Sequence, residues 1–217
     1  MEEMILASNS PRRKALFSLF GLPFVVKPAD VDESQRSAEA PVAYVRRLAC
    51  EKAAAAAQQQ SGWVIGADTI VVDGDELLGK PMDSADARRT LRQLRGRTHQ
   101  VYTGIAILNS LTGQSFDAVC CTQVPMREYT EEEIDDYLAT GDPMDKAGAY
   151  AIQHAGFHPV VGMSGCYASV MGLPLCHLIV GFTRLGLEVF ENVPARCQAH
   201  LAYDCPIFGE ILAKGGA

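Results

Sequence analysis

The sequence predicts an α/β fold in which a mixed β-sheet is flanked by helices. Three observations support this prediction: short apolar runs typical of strands, segments of helical periodicity that alternate with them, and glycine turns that join some strands as hairpins. The 217 residues, of which 48% are hydrophobic, are enough to bury a sizeable core without disulfides or a structural metal ion. The composition therefore favours one domain, with room for two lobes.

The first half of the chain predicts strands and helices in alternation. Ser10 is a suitable helix N-cap, Pro11 a suitable first helical residue and Gly21 a suitable C-terminal cap. Polar residues over 29–40 indicate a loop before the second helix. The elements predicted here are a strand over 4–7, a helix from Pro11 up to Gly21, a helix from Pro41 to about Gln59 and a buried strand over 63–72.

The second half continues the alternation. Asp73 and Gly74 are typical of a tight hairpin turn, and Thr130 with Glu133 has the spacing of a capping box. The elements predicted here are a strand over 76–78, a helix over 84–94, strands over 101–108 and 115–126, a helix from Thr130 to Leu138 and a last long helix over 173–185.

Charge and composition exclude several classes of protein. A formal charge of −7 argues against a protein that binds nucleic-acid backbones. The first residues lack the pattern of a secretory signal, and the uncharged stretch over 147–183 is interrupted by glycines and prolines, which argues against a membrane span. The seven cysteines include no C-x-x-C pair, which is typical of reduced thiols. We therefore expect a cytoplasmic protein that binds neither membrane nor nucleic acid.

Two basic features are out of place for ordinary helices. Arg12, Arg13 and Lys14 crowd the first turn of the first helix, where the helix dipole prefers negative charge. They indicate either a phosphate site at the helix N-terminus or a solvated basic turn. Val45, Leu48 and Lys52 are separated by three and four residues, so Lys52 lies on the core-facing stripe of the second helix and must either snorkel to solvent or bind an anion.

Asp68 is the clearest exception to the pattern, because it interrupts an apolar run that otherwise predicts a completely buried strand. An unpaired carboxylate there would cost several kcal/mol, so a metal ion, a lysine or an arginine must lie beside it. Gly66, two residues before, lets another group approach closely and favours a functional site over a structural ion pair. Glu33 is a further candidate carboxylate on a polar loop.

The segment from Gly74 to Lys80 matches the glycine–lysine spacing of a phosphate-binding P-loop. The next residue is Pro81 rather than Ser or Thr, and the segment falls in a predicted hairpin, so we do not predict a P-loop. Lys80 is better interpreted as a single charge directed at a phosphate group.

Seven segments in this order resemble the Maf family of nucleoside triphosphate pyrophosphatases. The resemblance extends from about residue 4 to residue 185. The segments are ILASNSPRR (5–13), VDE (31–33), RLACEKA (47–53), GADTIVVDGDELLGKP (66–81), HQVYTGIAI (99–107), GDPMDKAGAYAIQ (141–153) and YASVMGLPL (167–175).

The resemblance implies an enzyme that cleaves a nucleoside triphosphate between its α and β phosphates. It also implies a divalent metal ion, Mg²⁺ or alternatively Mn²⁺, a homodimer, and an elongated two-lobed α/β fold with a central cleft, similar to inosine triphosphate pyrophosphatase. By position, Asp68 would be the catalytic carboxylate and a metal ligand, and Glu33 would help to hold the metal. The substrate-binding residues would be Ser8, Arg12, Arg13, Lys52, Thr69, Lys80 and Gln153.

At Arg12, Thr69 and Gln153 the chain resembles those members of the family that prefer dTTP and UTP as substrates. Modified pyrimidine nucleotides are further candidate substrates. A house-cleaning or cell-division-linked role would follow. The alternatives are a preference for 7-methyl-GTP, and a non-catalytic nucleotide-binding regulator of septum formation. The family-like domain would span 1–193, with an extension over 194–217. The chain also departs from the family at Cys166, where Ser is usual, and this change would affect the substrate pocket.

Overall fold

A mixed six-stranded β-sheet forms the centre of the computed structural model, which describes residues 3–189 and 192–215. The strand order is β2-β1-β3-β5-β6, and β4 pairs with one end of β3. Strands β1 and β2 run parallel to their neighbours, whereas β4, β5 and β6 pair antiparallel. The strands are β1 (Met4–Leu6), β2 (Phe24–Val26), β3 (Trp63–Asp73), β4 (Glu76–Leu78), β5 (Thr98–Asn109) and β6 (Ser115–Pro125).

Helices cover both faces of this sheet, so the predicted α/β class is confirmed. They are α1 (Pro11–Ser18), α2 (Pro41–Ala57), α3 (Ser84–Leu94), α4 (Glu131–Ala139), α5 (Tyr167–Val170), α6 (Leu175–Arg184), α7 (Val193–Leu201) and α8 (Phe208–Gly215). Two short 3₁₀ turns, Asp142–Asp145 and Ala147–Ala149, join α4 to the segment before α5. Each helix in the described part of the chain is too short or too polar to cross a membrane.

The local signals in the sequence act as predicted. The Ser10 side chain accepts a hydrogen bond from the backbone N–H of Arg13, and Pro11 opens α1. Thr130 and Glu133 form both hydrogen bonds of the capping box at the start of α4. Gly74 has φ = 61° in the turn between β3 and β4, a conformation that glycine adopts without strain.

Two parts of the fold differ from the prediction. Strand β2 was not predicted, because three half-buried residues are too short to show an alternating pattern. Helix α6 is not the last helix, since α7 and α8 follow it, and Pro174 caps α6 rather than lying inside it. Asn192 caps α7 by accepting a hydrogen bond from the N–H of Ala195, which is the sequence signal that could have predicted this helix.

Helix α2 packs unusually close to the sheet. A Cβ atom at Gly66 on β3 would overlap the carbonyl oxygen of Ala49, and one at Gly104 on β5 would overlap that of Val45. The backbone of α2 therefore rests on two adjacent strands at positions that only glycine allows. The predicted role of Gly66 in permitting close approach is confirmed.

One edge of β3 is left open between two partners. Strand β1 pairs with β3 as far as Ile65, and β4 pairs with it only from Val71 onward. In the described residues no strand pairs with 66–70 on that side. This gap in the sheet, beside the start of α1, is where the predicted site residues lie.

Two histidines, His99 in the core and the half-buried His177, make the stability of this fold sensitive to acid. His99 accepts or donates one hydrogen bond with the hydroxyl of Tyr150 at 2.8 Å, and burial lowers the pKa of His99 and of His177 to about 4. The unfolded chain takes up protons near pH 6.5, whereas the folded chain does not until about pH 4. Stability is therefore complete above pH 6.5 and falls as the pH drops toward 4.

We expect the free energy of unfolding to decrease by about 2 kcal/mol for each of these two histidines between pH 7 and pH 5. Urea unfolding at both pH values would measure this loss. His177→Gln should reduce the loss, while His200→Gln, which changes an exposed histidine, should leave it unaltered. An equal pH dependence in all three proteins would contradict this assignment.

Candidate active site

A cleft of about 680 Å³ opens at the gap in the sheet. Its walls come from the loop before α1, the middle of β3, the loop after β4 and the segment over 145–153. All nine residues predicted for the site line this one cleft: Ser8, Arg12, Arg13, Glu33, Lys52, Asp68, Thr69, Lys80 and Gln153.

The Arg13 side chain is fixed in the cleft by three different parts of the chain. Its Nε donates to the carbonyl oxygen of Gly172 at 2.8 Å, its Nη2 to Thr69 Oγ1 at 3.1 Å and its Nη1 to Ser8 Oγ at 3.4 Å. Burial lowers the pKa of Arg13, partly offset by the charge of Asp68, but arginine remains protonated at neutral pH. Arg13 is therefore a preorganised cation inside a cleft, not part of a solvated turn.

A line of buried hydroxyl groups supports Thr69 from behind. Thr69 Oγ1 lies 2.9 Å from Thr103 Oγ1 on β5, and Thr103 donates to the carbonyl oxygen of Ser169 at 2.7 Å. Thr69 and Thr103 are paired in the β3–β5 register, which explains why they meet. The sequence gives no signal for Thr103, Ser169 or Gly172 as site residues, because none of them carries a charge or an unusual spacing.

Lys52 lies between two carboxylates on the opposite face of β3. Its Nζ is 2.6 Å from Glu33 Oε1 and 2.7 Å from Asp68 Oδ1. Lys52 is 8% exposed and Asp68 is 7% exposed, so this ion pair is largely shielded from water. Lysine is thus the cation beside Asp68, and Lys52 binds an anion rather than snorkelling to solvent.

The surroundings shift the pKa values of the two carboxylates in opposite directions. Burial raises the pKa of Asp68, and the nearby charges of Lys52 and Arg13 only partly oppose this effect. Partial burial would also raise the pKa of Glu33, but the hydrogen bond and charge of Lys52 outweigh it and the pKa is lowered. Its surroundings therefore shift Asp68, and not Glu33, toward accepting a proton. 

The loop that carries Glu33 is held by a tyrosine on α2. The Tyr44 hydroxyl donates to the backbone oxygen of Glu33 at 2.7 Å. Burial, followed by the charges of Asp68 and Glu33, raises the pKa of Tyr44 to about 12, so this hydroxyl stays protonated. Tyr44 was not predicted, since an aromatic residue at a core spacing gives no functional signal.

The donor set fits a magnesium ion better than a transition metal. Glu33 and Asp68 face the ammonium group of Lys52 from two sides, and both offer the oxygen ligands that magnesium prefers. Among the described residues, no group of three or more Asp, Glu, His or Cys side chains lies close enough to hold a metal ion unaided. A metal ion here would need further oxygen atoms from substrate phosphates and water.

The far wall of the cleft is a loop anchored by a buried lysine. Lys146, which is 5% exposed, donates from Nζ to the backbone oxygen of Asp142 and to Asp145 Oδ1, each at 2.6 Å. The Tyr137 hydroxyl donates to Asp142 Oδ2 at 2.7 Å and accepts from the N–H of Ala151 at 2.9 Å. This network fixes the backbone that leads to Gln153.

Two residues at the mouth of the cleft are free to meet a ligand from solvent. Gln153 and Lys80 are both exposed and line the cleft. Gly79, next to Lys80, accepts a hydrogen bond from the N–H of Gly148, which joins the two walls. Lys80 follows the β3–β4 hairpin, so the P-loop interpretation rejected from the sequence has no support in the fold.

Cys166 is not part of the cleft. It is buried at the N-terminus of α5 and lines a separate small cavity beneath the C-terminal helices. An effect of the change from Ser to Cys on the substrate pocket would therefore be indirect, and that expectation stays a prediction. 

The fold and the cleft define an α/β protein whose site combines fixed cations with one buried carboxylate whose pKa is raised. The sequence model described as "Maf-like protein" matches residues 3–184, and the chain belongs to the Maf family. The dTTP/UTP pyrophosphatase of Geobacter sulfurreducens is 44% identical over 184 residues, which cover 84% of this chain and 96% of that protein. That of Geotalea uraniireducens is 48% identical over 185 residues, which cover 84% and 95%.

A solved structure was also found to be similar in part. The Staphylococcus aureus Ham1 protein aligns with 58% of this chain and 72% of that chain, at 18% sequence identity and a TM-score of 0.43.

We expect Gly66→Ala to destabilise the protein by about 1 to 3 kcal/mol, because the new Cβ forces α2 away from β3. The shift should also separate Lys52 from Asp68. Urea unfolding would measure the loss. Gly209→Ala is the matched control, since a Cβ there meets no atom within 4 Å. Equal stability of the two variants would show that α2 can be displaced at little cost.

Proposed function

We propose that this protein is a nucleoside triphosphate pyrophosphatase that hydrolyses dTTP and UTP to the monophosphate and pyrophosphate. The observation that carries the proposal is the pairing, within one cleft, of Asp68, whose pKa is raised, with four cationic side chains. The curated relatives with that activity in their names, at 44% and 48% identity over most of their length, support it. The cations are Arg12, Arg13, Lys52 and Lys80.

The cations fit the triphosphate of the substrate. Arg13 is already oriented by Gly172, Thr69 and Ser8, so little side-chain entropy is lost when a phosphate group binds. The N-terminus of α1 offers backbone N–H groups and partial positive charge to the same anion. Arg12 and Lys80 would add charge from opposite sides of the cleft.

Asp68 fits the role of proton acceptor for the attacking water. One water proton would pass to the Asp68 carboxylate while the water oxygen bonds to the α-phosphorus and pyrophosphate leaves with the bridging oxygen. Lys52 holds Asp68 through Oδ1 and keeps the carboxylate fixed for this step. A magnesium ion held by Glu33 and Asp68, with manganese as the alternative, would neutralise phosphate charge and make the water more acidic.

Asp68→Asn should abolish hydrolysis, because the amide keeps the shape of the side chain but cannot accept the proton. Lys52 retains Glu33 as a partner, so we expect no loss of stability. Turnover of dTTP and UTP with magnesium, with separation of the products, would test this. Asp75→Asn, at an exposed position outside the cleft, is the control. Near-normal turnover of Asp68→Asn would make Asp68 a structural ion-pair partner only.

Product identity separates the alternative functions. A P-loop phosphotransferase would cleave at the γ phosphate and release no pyrophosphate. A non-catalytic regulator of septum formation would bind the nucleotide and release no product over many turnovers. A 7-methyl-GTP pyrophosphatase would release pyrophosphate from that nucleotide in preference to dTTP and UTP. Four further expectations stay predictions: the homodimer, the cytoplasmic location, the absence of membrane and nucleic-acid partners, and the division at residue 193.

Gln153 is our candidate for reading the base. It lies exposed at the mouth of the cleft on a loop that Tyr137 and Lys146 hold in place. Its amide carries both a donor and an acceptor, which match the 4-oxo group and the N3–H that thymine and uracil share.

Gln153→Glu should lower kcat/KM for dTTP and UTP by roughly tenfold or more, because the carboxylate repels the 4-oxo group and loses the donor. Purine nucleotides should lose less. Measuring kcat/KM for dTTP, UTP, CTP and GTP on both proteins checks this. A uniform decrease across all four would mean that Gln153 supports the loop and does not read the base.

A further inference from the structure

Arg13 closes a ring of hydrogen bonds that passes behind the cleft. Its Nη2 donates to Thr69 Oγ1 at 3.1 Å, and its Nε donates to the carbonyl oxygen of Gly172 at 2.8 Å. From Thr69 the ring continues to Thr103, whose Oγ1 lies 2.9 Å from Thr69 Oγ1. The carbonyl oxygen of Ser169 completes it, because it accepts from Thr103 Oγ1 at 2.7 Å and from the N–H of Gly172 at 2.9 Å. One ring therefore holds the guanidinium group at two of its nitrogen atoms.

The chemistry of the groups determines the direction of each hydrogen bond in this ring. A carbonyl oxygen only accepts, so the single hydroxyl proton of Thr103 goes to Ser169. The proton in the contact between the two threonines must therefore come from Thr69. A guanidinium group only donates, so a lone pair of the Thr69 oxygen faces Arg13. Thr103 thus fixes the orientation in which the Thr69 hydroxyl can accept from Arg13.

Burial leaves this arrangement without a substitute from solvent. The side chains of Thr103 and Ser169 belong to residues that are 0% exposed. Thr69 and Thr103 face each other in the β3–β5 register, so the sheet sets the distance between their hydroxyl groups. Without Thr103, the Thr69 proton would lose its buried acceptor, and a Thr69 hydroxyl that turned this proton toward Arg13 would oppose the guanidinium charge.

Gly172 completes the ring at a position that only glycine allows. Its φ is 102°, and a Cβ atom there would lie 3.0 Å from Arg13 Nε and 3.2 Å from Thr69 Oγ1. The backbone of Gly172 is therefore close enough to offer its carbonyl oxygen to Arg13 and its N–H to Ser169 at the same time.

The ring leaves part of the guanidinium group to a ligand. The contacts with Gly172, Thr69 and Ser8 use three of the five N–H groups of Arg13, as counted within residues 3–189 and 192–215. The others can donate to an anion in the cleft. The oxygen atoms of an ionised phosphate only accept, and the proton of Thr69 is already given to Thr103. The two threonines therefore act on a phosphate group only through Arg13.

We propose that Thr103 is a positioning residue, which orients Arg13 through the Thr69 hydroxyl for binding of a polyphosphate chain. Thr103 lies behind the cleft wall and touches neither the phosphate groups nor the attacking water. Its loss should weaken binding of the polyphosphate and leave the chemical step at Asp68 unchanged. The consequence for dTTP and UTP rests on the proposed pyrophosphatase function, whereas the effect on anion binding does not.

The test compares Thr103→Val, which keeps the branched shape and removes the hydroxyl, with Thr103→Ser, which keeps the hydroxyl. Calorimetric titration of the full chain with inorganic tripolyphosphate, with and without magnesium, measures binding without hydrolysis of a nucleotide. We expect Thr103→Val to raise the Kd roughly tenfold, the size of effect typical when one buried hydrogen bond is lost beside a charged group. Thr103→Ser should bind as the unaltered protein does.

Steady-state kinetics with dTTP supplies a second measurement. Thr103→Val should raise KM by the same factor and leave kcat unchanged. Thr90→Val is the matched control, because Thr90 is also buried, at 4% exposure, but lies on α3 away from the residues that line the cleft. It should alter neither Kd nor KM.

A double variant shows whether Thr103 acts through Thr69. We expect Thr69→Val alone to weaken tripolyphosphate binding, and we expect the addition of Thr103→Val to weaken it no further. Losses that add in the double variant would mean that Thr103 acts by another route and would overturn the proposal.

The remaining outcomes are equally decisive. An unchanged Kd in Thr103→Val, an equal loss in Thr103→Ser, or a lower kcat at unchanged KM would each overturn the positioning role. Thr103→Ala, which also removes the hydroxyl, takes the place of Thr103→Val if the latter does not fold. Weaker tripolyphosphate binding in Thr103→Val, in a protein that hydrolyses no nucleotide, would support the role of Thr103 and refute the proposed function.

Discussion

The contact between Lys52 and Asp68 is the constraint on which the rest of the site depends. A carboxylate in the middle of a buried strand is tolerated only when a cation lies beside it, and a buried lysine in turn needs an anion. Their Nζ–Oδ1 distance of 2.7 Å requires α2 to approach β3 closely. Gly66 and Gly104 permit that approach, so two residues without side chains decide where the charges meet.

The alternation of β3 sends neighbouring residues to opposite faces of the sheet. Asp68 points toward α2 and Lys52, and Thr69 points toward α1, where Arg13 holds it. In a fully paired strand these two groups could not serve one ligand. Because β1 ends before this point and β4 begins after it, the edge of β3 is open and both faces contribute to the same cleft.

The site residues that could be predicted from the sequence are those that break a local pattern of charge or hydrophobicity. A carboxylate in an apolar strand, a lysine on a core-facing stripe and basic residues at a helix N-terminus each led to a residue that lines the cleft. The supporting contacts could not be predicted in the same way. Thr103 meets Thr69 through strand register, Gly172 accepts from Arg13 through its backbone, and Lys146 is bound by residues of its own turn. Such contacts depend on tertiary placement and leave no pattern in composition or spacing.

The cleft is built from two kinds of structure that differ in how freely they can evolve. The charged side chains of Asp68 and Lys52 belong to the sheet and to α2, where a change of one residue disturbs the packing of several strands. Gln153 belongs to a loop that has its own anchor in Tyr137, Asp142 and Lys146. Substitutions at the loop tip can therefore accumulate without loss of the hydrolytic machinery. With Gln153 in its proposed role, a lineage with this architecture could change which base it accepts while it keeps the same chemistry at phosphorus.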